Sequence, residues 1–227
     1  MPRRARVTLV GVPHHIIQRG NNRSACFYCE DDYVFYLKCL HDYCLKFGCD
    51  VHAYCLMTNH VHLLVTPSEE DSLANMMKNL GQRYVQYINR TYVRTGTLWE
   101  GRFKSCITNE EKYILACYRY IELNPVRANM VEHPAEYRWT SYRCNAQGEL
   151  NELVAPHTCY LNLGSDSETR ITSYRGFFKS ELNIELVNQI RTATLSNYAL
   201  GSELFKKDVS EVLGRRVSRG AVGRPKG

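Results

Sequence analysis

The sequence contains no long hydrophobic run. Its apolar stretches are short, Leu63-Leu64-Val65 being typical, and none approaches the roughly 18 residues that a membrane span needs. The amino terminus, Met1 to Arg6, carries charge, but no apolar stretch of signal-peptide length follows it. These absences argue against a membrane protein, and we expect a soluble, cytoplasmic chain.

The sequence also lacks the cysteine spacing of a disulfide scaffold or a zinc finger. Most of its ten cysteines sit among apolar residues, where a reduced cysteine behaves as a small hydrophobic side chain. Cys26 and Cys29 form a C-x-x-C, but no second pair follows at zinc-finger spacing. Reduced packing or loop thiols are therefore expected, with a structural metal at this pair as the weaker alternative.

What the chain does carry is an uneven positive charge. Its 29 Lys and Arg residues exceed its 23 Asp and Glu residues, for a net charge of +6 at pH 7. Residues 206–227 concentrate the excess, with seven Lys or Arg against two Asp or Glu. Such a basic segment is typical of a protein with a polyanion partner, most often nucleic acid, and a disordered solubilising tail is the alternative.

This basic tail contains one short motif. Gly223-Arg224-Pro225, flanked by basic residues, is similar to the core of an AT-hook, whose arginine enters a narrow A·T minor groove. Non-specific phosphate attraction and an inert tail are the alternatives. The DNA-binding residues predicted in the tail are Arg215, Arg216, Arg219 and Arg224.

Hydrophobic periodicity predicts alternating strands and helices over the first 125 residues. The predicted order is a strand (7–19), a helix (31–47), a hairpin (51–57 and 60–66), a helix (72–93), an extended segment (96–107) and a helix that ends near Pro125. This is the order of a ferredoxin-like (RRM-like) α+β fold. In that fold an antiparallel sheet carries helices on one face and leaves the other open for a ligand.

The character of the sequence changes after Tyr142. Residues 145–167 are polar and loop-like, and two helical stretches follow, over 168–182 and 184–213. We expect a first domain over residues 1–145, a small helical accessory region over 146–214 and a basic, flexible tail over 215–227.

Two histidines in the predicted hairpin are the first candidates for chemistry. His60 and His62 flank Val61 on a strand, so both imidazoles point to the same face of the sheet. Two neutral imidazoles in this arrangement can share one divalent cation, with water or substrate oxygens completing its shell. Two surface histidines without a metal are the alternative.

The helix before Pro125 supplies a second candidate pair. Tyr120 and Asn124 are four residues apart and share one face, so a phenol and an amide can reach the same spot. The chain has 16 tyrosines, and most of them are expected only to pack or stack. Asn124 can equally act only as a helix terminator before Pro125.

Together these stretches resemble the HUH single-strand DNA endonucleases, specifically the single-tyrosine, REP-associated transposases of the IS200-like type. Tyr54 to Leu64 is similar to the histidine–hydrophobe–histidine motif of that family. Leu98 to Lys104 and Tyr120 to Ala128 match its later motifs in the same order, and Gln18 to Arg23 is similar to its amino-terminal motif. The resemblance covers roughly residues 5–145 and is much weaker beyond.

The resemblance implies a role for each matching residue. His60, His62 and Asn124 would hold Mg²⁺ or Mn²⁺, and Tyr120, rather than its neighbour Tyr118, would be the nucleophile. The implied activity is a metal-dependent single-stranded DNA endonuclease and strand transferase that forms a 5′-phosphotyrosine on hairpin-forming repeat DNA. Glu122 lies where related sequences can carry another residue, and it is expected to point away from Tyr120.

The predicted substrate contacts are cations that flank these motifs. Single-stranded or hairpin DNA is the expected partner, and the sequence does not decide between a monomer and a homodimer. The alternative function is a non-catalytic nucleic-acid-binding module on a ferredoxin-like sheet. The predicted phosphate contacts are Arg19, Arg23, Arg102, Lys104 and Arg127, each of which can instead be a solvated surface cation.

Overall fold

A four-stranded antiparallel sheet lies at the centre of the computed structural model, which describes residues 6–218. The strands are β1 (His14–Arg19), β2 (Cys49–Met57), β3 (His60–Pro67) and β4 (Lys104–Ile107). Their order across the sheet is β2-β3-β1-β4, and every neighbouring pair is antiparallel. This confirms the α+β class and the ferredoxin-like order of elements.

Nine α-helices connect or follow these strands in the described part of the chain. They are α1 (Glu30–Phe47), α2 (Ser72–Thr91), α3 (Glu111–Glu122), α4 (Asn124–Arg127), α5 (Tyr142–Gln147), α6 (Thr158–Leu161), α7 (Ser167–Gly176), α8 (Ile184–Ser196) and α9 (Glu203–Val212). Local chemistry explains the ends of α1. The Asp32 carboxylate accepts hydrogen bonds from the backbone N–H groups of Tyr28 and Cys29, and Gly48 ends the helix in the left-handed region at φ 63°.

The hairpin of β2 and β3 turns at Thr58-Asn59, as its sequence predicts. Pairing with β1 places Ile17 opposite His62 and Arg19 opposite His60. Because side chains alternate along a strand, both histidines lie on the same face of the sheet as Ile17 and Arg19. Val61 points to the other face and is fully buried.

Helices cover both faces of the sheet. On the first face α2 packs beside Gln18, whose Nε2 lies near Gly81, and α1 packs against α2. On the second face α3 contacts β2 and β3, and α8 contacts β1 and β4. The expectation of an open second face is therefore wrong. The apolar stripe of α3, with Ile114, Cys117 and Ile121 fully buried, needs a surface to pack on, and this face of the sheet is that surface.

The carboxy-terminal helices differ from their predicted extents. The stretch predicted as one helix over 184–213 is two helices, because Asn197 adopts a left-handed conformation (φ 54°) that ends α8. Ser202 then caps α9 by accepting a hydrogen bond from the backbone N–H of Phe205. Val217 is fully buried, and its carbonyl accepts from the backbone N–H of Ala199, so the chain is packed at least to this point.

All ten cysteines are free thiols, and Cys26 is buried whereas Cys29 is exposed. Between residues 6 and 218, no helix is both long enough and apolar enough to cross a membrane. The division at residue 145 stays a prediction.

Candidate active site

A cavity of about 290 Å³ lies between the second face of the sheet and helices α3, α4 and α8. Three separate stretches of sequence that carry predicted site residues meet in its wall: strand β1, strand β3 and the junction of α3 with α4. The sequence-predicted residues that line the cavity are Arg19, His60, His62, Tyr120, Asn124 and Arg127. All predicted metal and catalytic residues are therefore within one cavity.

His60 and His62 lie side by side in this cavity, with ring centroids 5.0 Å apart. Burial lowers the pKa of His60 to about 4, with contributions from the Arg19 and Arg127 cations, and burial also holds the pKa of His62 well below its usual value. Both imidazoles are therefore neutral near pH 7. Neutrality is the state in which an imidazole nitrogen can bind a metal.

The hydrogen bonds of Asn59 identify which nitrogen of His60 carries its proton. Asn59 Nδ2 donates to the carbonyl of Arg23 (3.0 Å), so Asn59 Oδ1 is the acceptor that lies 2.6 Å from His60 Nδ1. His60 therefore donates from Nδ1, and its Nε2 keeps the lone pair. Nε2 of His60, a residue that lines the cavity, is thereby available as a metal ligand.

Tyr120 lies against the histidines, whereas Tyr118 does not. The Tyr120 ring makes edge contacts with His62 (centroids 5.6 Å apart) and with His15 (5.4 Å apart). Tyr118 is fully buried in another cluster, where its ring packs against Tyr160 and its hydroxyl accepts from the backbone N–H of His157. Two residues along a helix turn the side chain by about 200°, which explains this separation.

Asn124 is the first residue of α4 and lies four residues after Tyr120 in the chain. Its Nδ2 donates to the carbonyls of Tyr120 (3.0 Å) and Ile121 (3.2 Å), which directs Oδ1 away from α3. Oδ1 accepts a hydrogen bond from Arg127 Nη2 (2.7 Å). A carbonyl oxygen has two lone pairs, so one remains for a cation.

These donors form a mixed site for a divalent cation, neither purely hard nor purely soft. The set comprises two imidazole nitrogens and one amide oxygen on one cavity wall, and such mixed nitrogen and oxygen sites suit Mn²⁺ or Mg²⁺ completed by water or phosphate oxygens. Residues 6–218 contain no cluster of three or more His, Cys, Asp or Glu side chains placed to hold a metal ion. A metal in this cavity would therefore depend on the amide of Asn124 and on oxygens from outside the protein.

The sequence analysis missed one histidine of the site. His15 is buried on β1, its Nε2 lies 2.9 Å from His62 Nδ1, and the two rings are nearly coplanar, with an interplanar angle of 13° and centroids 5.1 Å apart. The sequence did contain a signal for His15. It lies two residues before Ile17 and four before Arg19, so strand periodicity puts all three side chains on one face of the sheet. Thr194 and Arg191 of α8 also line the cavity, and no sequence pattern linked them to it.

Glu122 points away from Tyr120, as expected, and is fully buried. Its carboxylate accepts hydrogen bonds from Ser141 Oγ (2.6 Å), Asn145 Nδ2 (2.8 Å) and the Tyr174 hydroxyl (2.6 Å). Burial raises the pKa of Glu122 to about 7, against the opposing effect of these hydrogen bonds. The residue joins α3 to α5 and α7 rather than to the cavity.

A second groove, of about 580 Å³, adjoins the cavity and shares Ile17, Arg19 and Leu195 with it. Four cationic side chains and the carboxylate of Glu100 line this groove among the described residues. The cations are Arg6, Arg19, Arg102 and Lys104.

The remaining predicted DNA contacts lie elsewhere. Arg23 is exposed and lines neither of these two depressions. Arg215 donates to the backbone carbonyl of Arg6, and Arg216 is exposed. Arg219 and Arg224, with the Gly223-Arg224-Pro225 motif, lie outside the described residues.

Comparisons with known proteins identify the family of this chain. The family model described as "Transposase IS200 like" matches residues 8–124, about half of the chain. A candidate REP-associated tyrosine transposase of Haemophilus influenzae is 23% identical over 117 residues, which cover 47% of this chain and 66% of that protein. The chain thus spans just under two thirds of the length of this curated relative.

Two solved structures are also similar. One is a REP-associated tyrosine transposase bound to a REP hairpin, with a TM-score of 0.57 and 16% identity, over 69% of this chain and 93% of the other. The second is a transposase candidate from Deinococcus radiodurans R1, with a TM-score of 0.37 and 19% identity, over 49% of this chain and 89% of the other. The first likeness shows a shared fold, and the family match extends from β1 to Asn124. This chain belongs to the IS200-like transposase family.

Proposed function

We propose that this protein is a metal-dependent single-stranded DNA endonuclease and strand transferase with Tyr120 as its nucleophile. One observation carries the proposal: His60, His62, Tyr120 and Asn124 line the same cavity although they come from strand β3 and from helices α3 and α4. A tyrosine beside two neutral imidazoles and an amide oxygen is a set of groups suited to phosphoryl transfer to a phenol when a divalent cation is bound.

The proposed reaction is an in-line displacement at phosphorus. The phenolic oxygen of Tyr120 forms a bond to phosphorus while the bond from phosphorus to the 3′-oxygen breaks, and the phenolic proton ends on the released 3′-hydroxyl. Mg²⁺ or Mn²⁺, when held by His60, His62 and Asn124, supplies charge neutralisation at the non-bridging phosphate oxygens. The resulting 5′-phosphotyrosine keeps the phosphodiester energy, so a 3′-hydroxyl can rejoin the strand without ATP.

Activation of the phenol is the harder part of this chemistry, because a tyrosine has a reference pKa of ~10. Arg127 supports it, since its guanidinium carbon lies 3.9 Å from the centroid of the Tyr120 ring. A cation in this position can stabilise negative charge that develops on the phenolic oxygen during the reaction. Arg127 can contact both Tyr120 and a substrate phosphate, because its side chain lines the cavity in which the phosphate would lie.

We propose hairpin-forming repeat DNA as the substrate. The solved relative that shares the fold is bound to a REP hairpin. The groove with Arg19, Arg102 and Lys104 is continuous with the cavity, so a single strand lying in it would meet cations on its way to Tyr120. The helices on the second face of the sheet cover the surface that a non-catalytic RRM-like module would use.

The proposed catalytic domain, residues 1–145, does not enclose this cavity alone. Arg191, Thr194 and Leu195 of α8 form part of its wall. We therefore assign the accessory region, 146–214, a share in the architecture of the site. The basic tail that follows is proposed to add phosphate contacts.

A covalent-adduct assay tests the function. A hairpin oligonucleotide labelled on the 3′ side of the cleavage position should give a labelled band that migrates with the denatured protein. Tyr120→Phe should abolish this adduct and leave DNA binding nearly intact, whereas the matched Tyr118→Phe variant should retain it. An adduct that persists in Tyr120→Phe and disappears in Tyr118→Phe would contradict the assignment. Hairpin binding without any adduct from the wild type would favour the non-catalytic alternative.

A further inference from the structure

A chain of hydrogen bonds runs from helix α8 through strand β1 to His62. Thr194 Oγ1 donates to the carbonyl of Ile190 (2.7 Å), His15 Nδ1 lies 2.9 Å from Thr194 Oγ1, and His15 Nε2 lies 2.9 Å from His62 Nδ1. His15, His62 and Thr194 are each at most 2% exposed. Water therefore has little access to these contacts, and the protein groups themselves must satisfy one another.

The direction of each bond follows from what its end groups can do. The Ile190 carbonyl can only accept, so the single hydroxyl proton of Thr194 is used there. Thr194 Oγ1 must then accept from His15, which places the proton of His15 on Nδ1.

The same reasoning continues to His62. A neutral His15 with its proton on Nδ1 has a lone pair on Nε2, so His62 donates to it from Nδ1. A second proton on either ring would create a buried cation in a site that already contains Arg127, which is unfavourable. His62 Nε2 is consequently left with its lone pair, matching the arrangement at His60, where Asn59 is the acceptor.

We propose that His15 and Thr194 are positioning residues that hold His62 in the tautomer whose Nε2 can bind a divalent cation. This inference rests on the proposed metal site and names the residues that orient one of its ligands, His62. Histidine ligands commonly donate their other ring N–H to a fixed partner, and loss of that partner lowers metal affinity about 10–100-fold. Thr194 lies beyond the segment of the family match, residues 8–124, so a helix of the accessory region completes the ligand arrangement.

Thr194 offers a matched pair of variants. Thr194→Val keeps the shape of the side chain but removes the acceptor, so His15 can transfer its proton to Nε2 and donate to His62 instead. His62 would then carry its proton on Nε2, where it blocks a cation. Thr194→Ser keeps the hydroxyl and should preserve the native tautomers of His15 and His62. Cys106→Ala is a further control, because Cys106 Sγ lies 3.2 Å from Thr194 Oγ1 but is not part of the chain to His62.

The test combines a tautomer measurement with metal binding. Long-range ¹H–¹⁵N spectra of the metal-free full-length protein report which nitrogen of His62 is protonated, and Mn²⁺ titration followed by electron paramagnetic resonance reports affinity. We expect an Nδ1-protonated His62 in the wild type, in Thr194→Ser and in Cys106→Ala. In Thr194→Val we expect the proton on Nε2 and Mn²⁺ binding weakened by at least tenfold, against a change within about twofold for Thr194→Ser.

The possible results separate this inference from the proposed function. A wild-type His62 with its proton on Nε2 would overturn the inference, and this spectrum requires no variant to fold. Unchanged tautomer and Mn²⁺ affinity in a folded Thr194→Val protein would also overturn it, while leaving the metal site intact. A wild type that does not bind Mn²⁺ would overturn both the inference and the proposed metal site.

Discussion

The guanidinium of Arg127 links Tyr120 to Asn124. Its central carbon lies 3.9 Å from the centroid of the Tyr120 ring, and its Nη2 donates a 2.7 Å hydrogen bond to Asn124 Oδ1. The sequence predicts only a phosphate contact for this arginine. Its position in the structure instead puts one cation in contact with both the proposed nucleophile and a proposed metal ligand.

This relationship makes Arg127 a test of how Tyr120 is activated. Arg127→Gln should lower the single-turnover rate of adduct formation at saturating DNA about tenfold or more, because about 1.4 kcal/mol of stabilisation corresponds to a factor of ten. Hairpin affinity should fall much less. Arg138→Gln is the matched control, since Arg138 lies over the ring of Trp139 (4.8 Å). An unchanged adduct rate in Arg127→Gln would remove Arg127 from the chemistry.

Removal of the divalent cation should stop the reaction. EDTA should abolish adduct formation, and Mn²⁺ or Mg²⁺ should restore it, because the phosphate charge is otherwise not neutralised. His60→Ala and His62→Ala should each lower metal-dependent cleavage to background. His41→Ala, on helix α1 of the first face, should behave as the wild type. Full activity of the wild type in EDTA would contradict the metal site.

The basic groove should contribute phosphate contacts without affecting chemistry. Each contact to single-stranded DNA changes the slope of log affinity against log salt by ~0.7, so Arg102→Ala with Lys104→Ala should flatten it by up to ~1.4. Cleavage of saturating substrate should be unaffected. The paired control is Arg83→Ala with Arg90→Ala, since both are exposed on helix α2 of the first face. If both double variants gave the same slope of log affinity against log salt, the single-stranded DNA would lie outside the groove.

Glu122 should give the folded protein a pH-dependent stability. Its pKa is about 7 in the folded state, against a reference value of 4.5, so its protonated form favours folding. That contribution is fully present below pH 4.5 and is lost as the pH rises through about 7. This contribution to the free energy of unfolding is on the order of 3 kcal/mol.

Glu122→Gln mimics the protonated carboxyl and isolates this effect. Its thermal unfolding temperature should exceed that of the wild type at pH 8 and approach it at pH 4.5. The exposed Glu152→Gln should show no such pH-dependent difference from the wild type. Parallel profiles for Glu122→Gln and the wild type would mean that Glu122 does not titrate in this range.

The tail should affect affinity rather than cleavage. A deletion of residues 219–227 removes Arg219, Arg224 and Lys226 but spares the buried Val217. With three cations lost, the salt slope on single strands should flatten by up to ~2.1, and cleavage of saturating substrate should survive. If Arg224 reads a minor groove, Arg224→Ala should weaken binding to A·T-rich duplexes more than to G·C-rich ones. Higher activity after the deletion would instead indicate an inhibitory tail.

Local patterns in the sequence were sufficient to predict much of the fold and which residues of the site lie close together. Strand periodicity places His60 and His62 on one face because side chains alternate along a strand, and the structure has this arrangement. Helical spacing puts Tyr120 and Asn124 together for the same kind of local reason. The order of strands and helices was enough to predict a ferredoxin-like sheet, which the observed strand order confirms.

Only the tertiary structure showed what surrounds these residues. The contact of His15 with Thr194 joins residues 179 positions apart, and no local periodicity encodes a pairing at that distance. The covered second face of the sheet and the place of Arg127 over Tyr120 likewise depend on how α3, α4 and α8 pack. The sequence by itself determined which side chains are candidates for the chemistry, because their spacing is a property of the chain. Packing decided their protonation and their partners, because burial and hydrogen bonding arise only when distant segments meet.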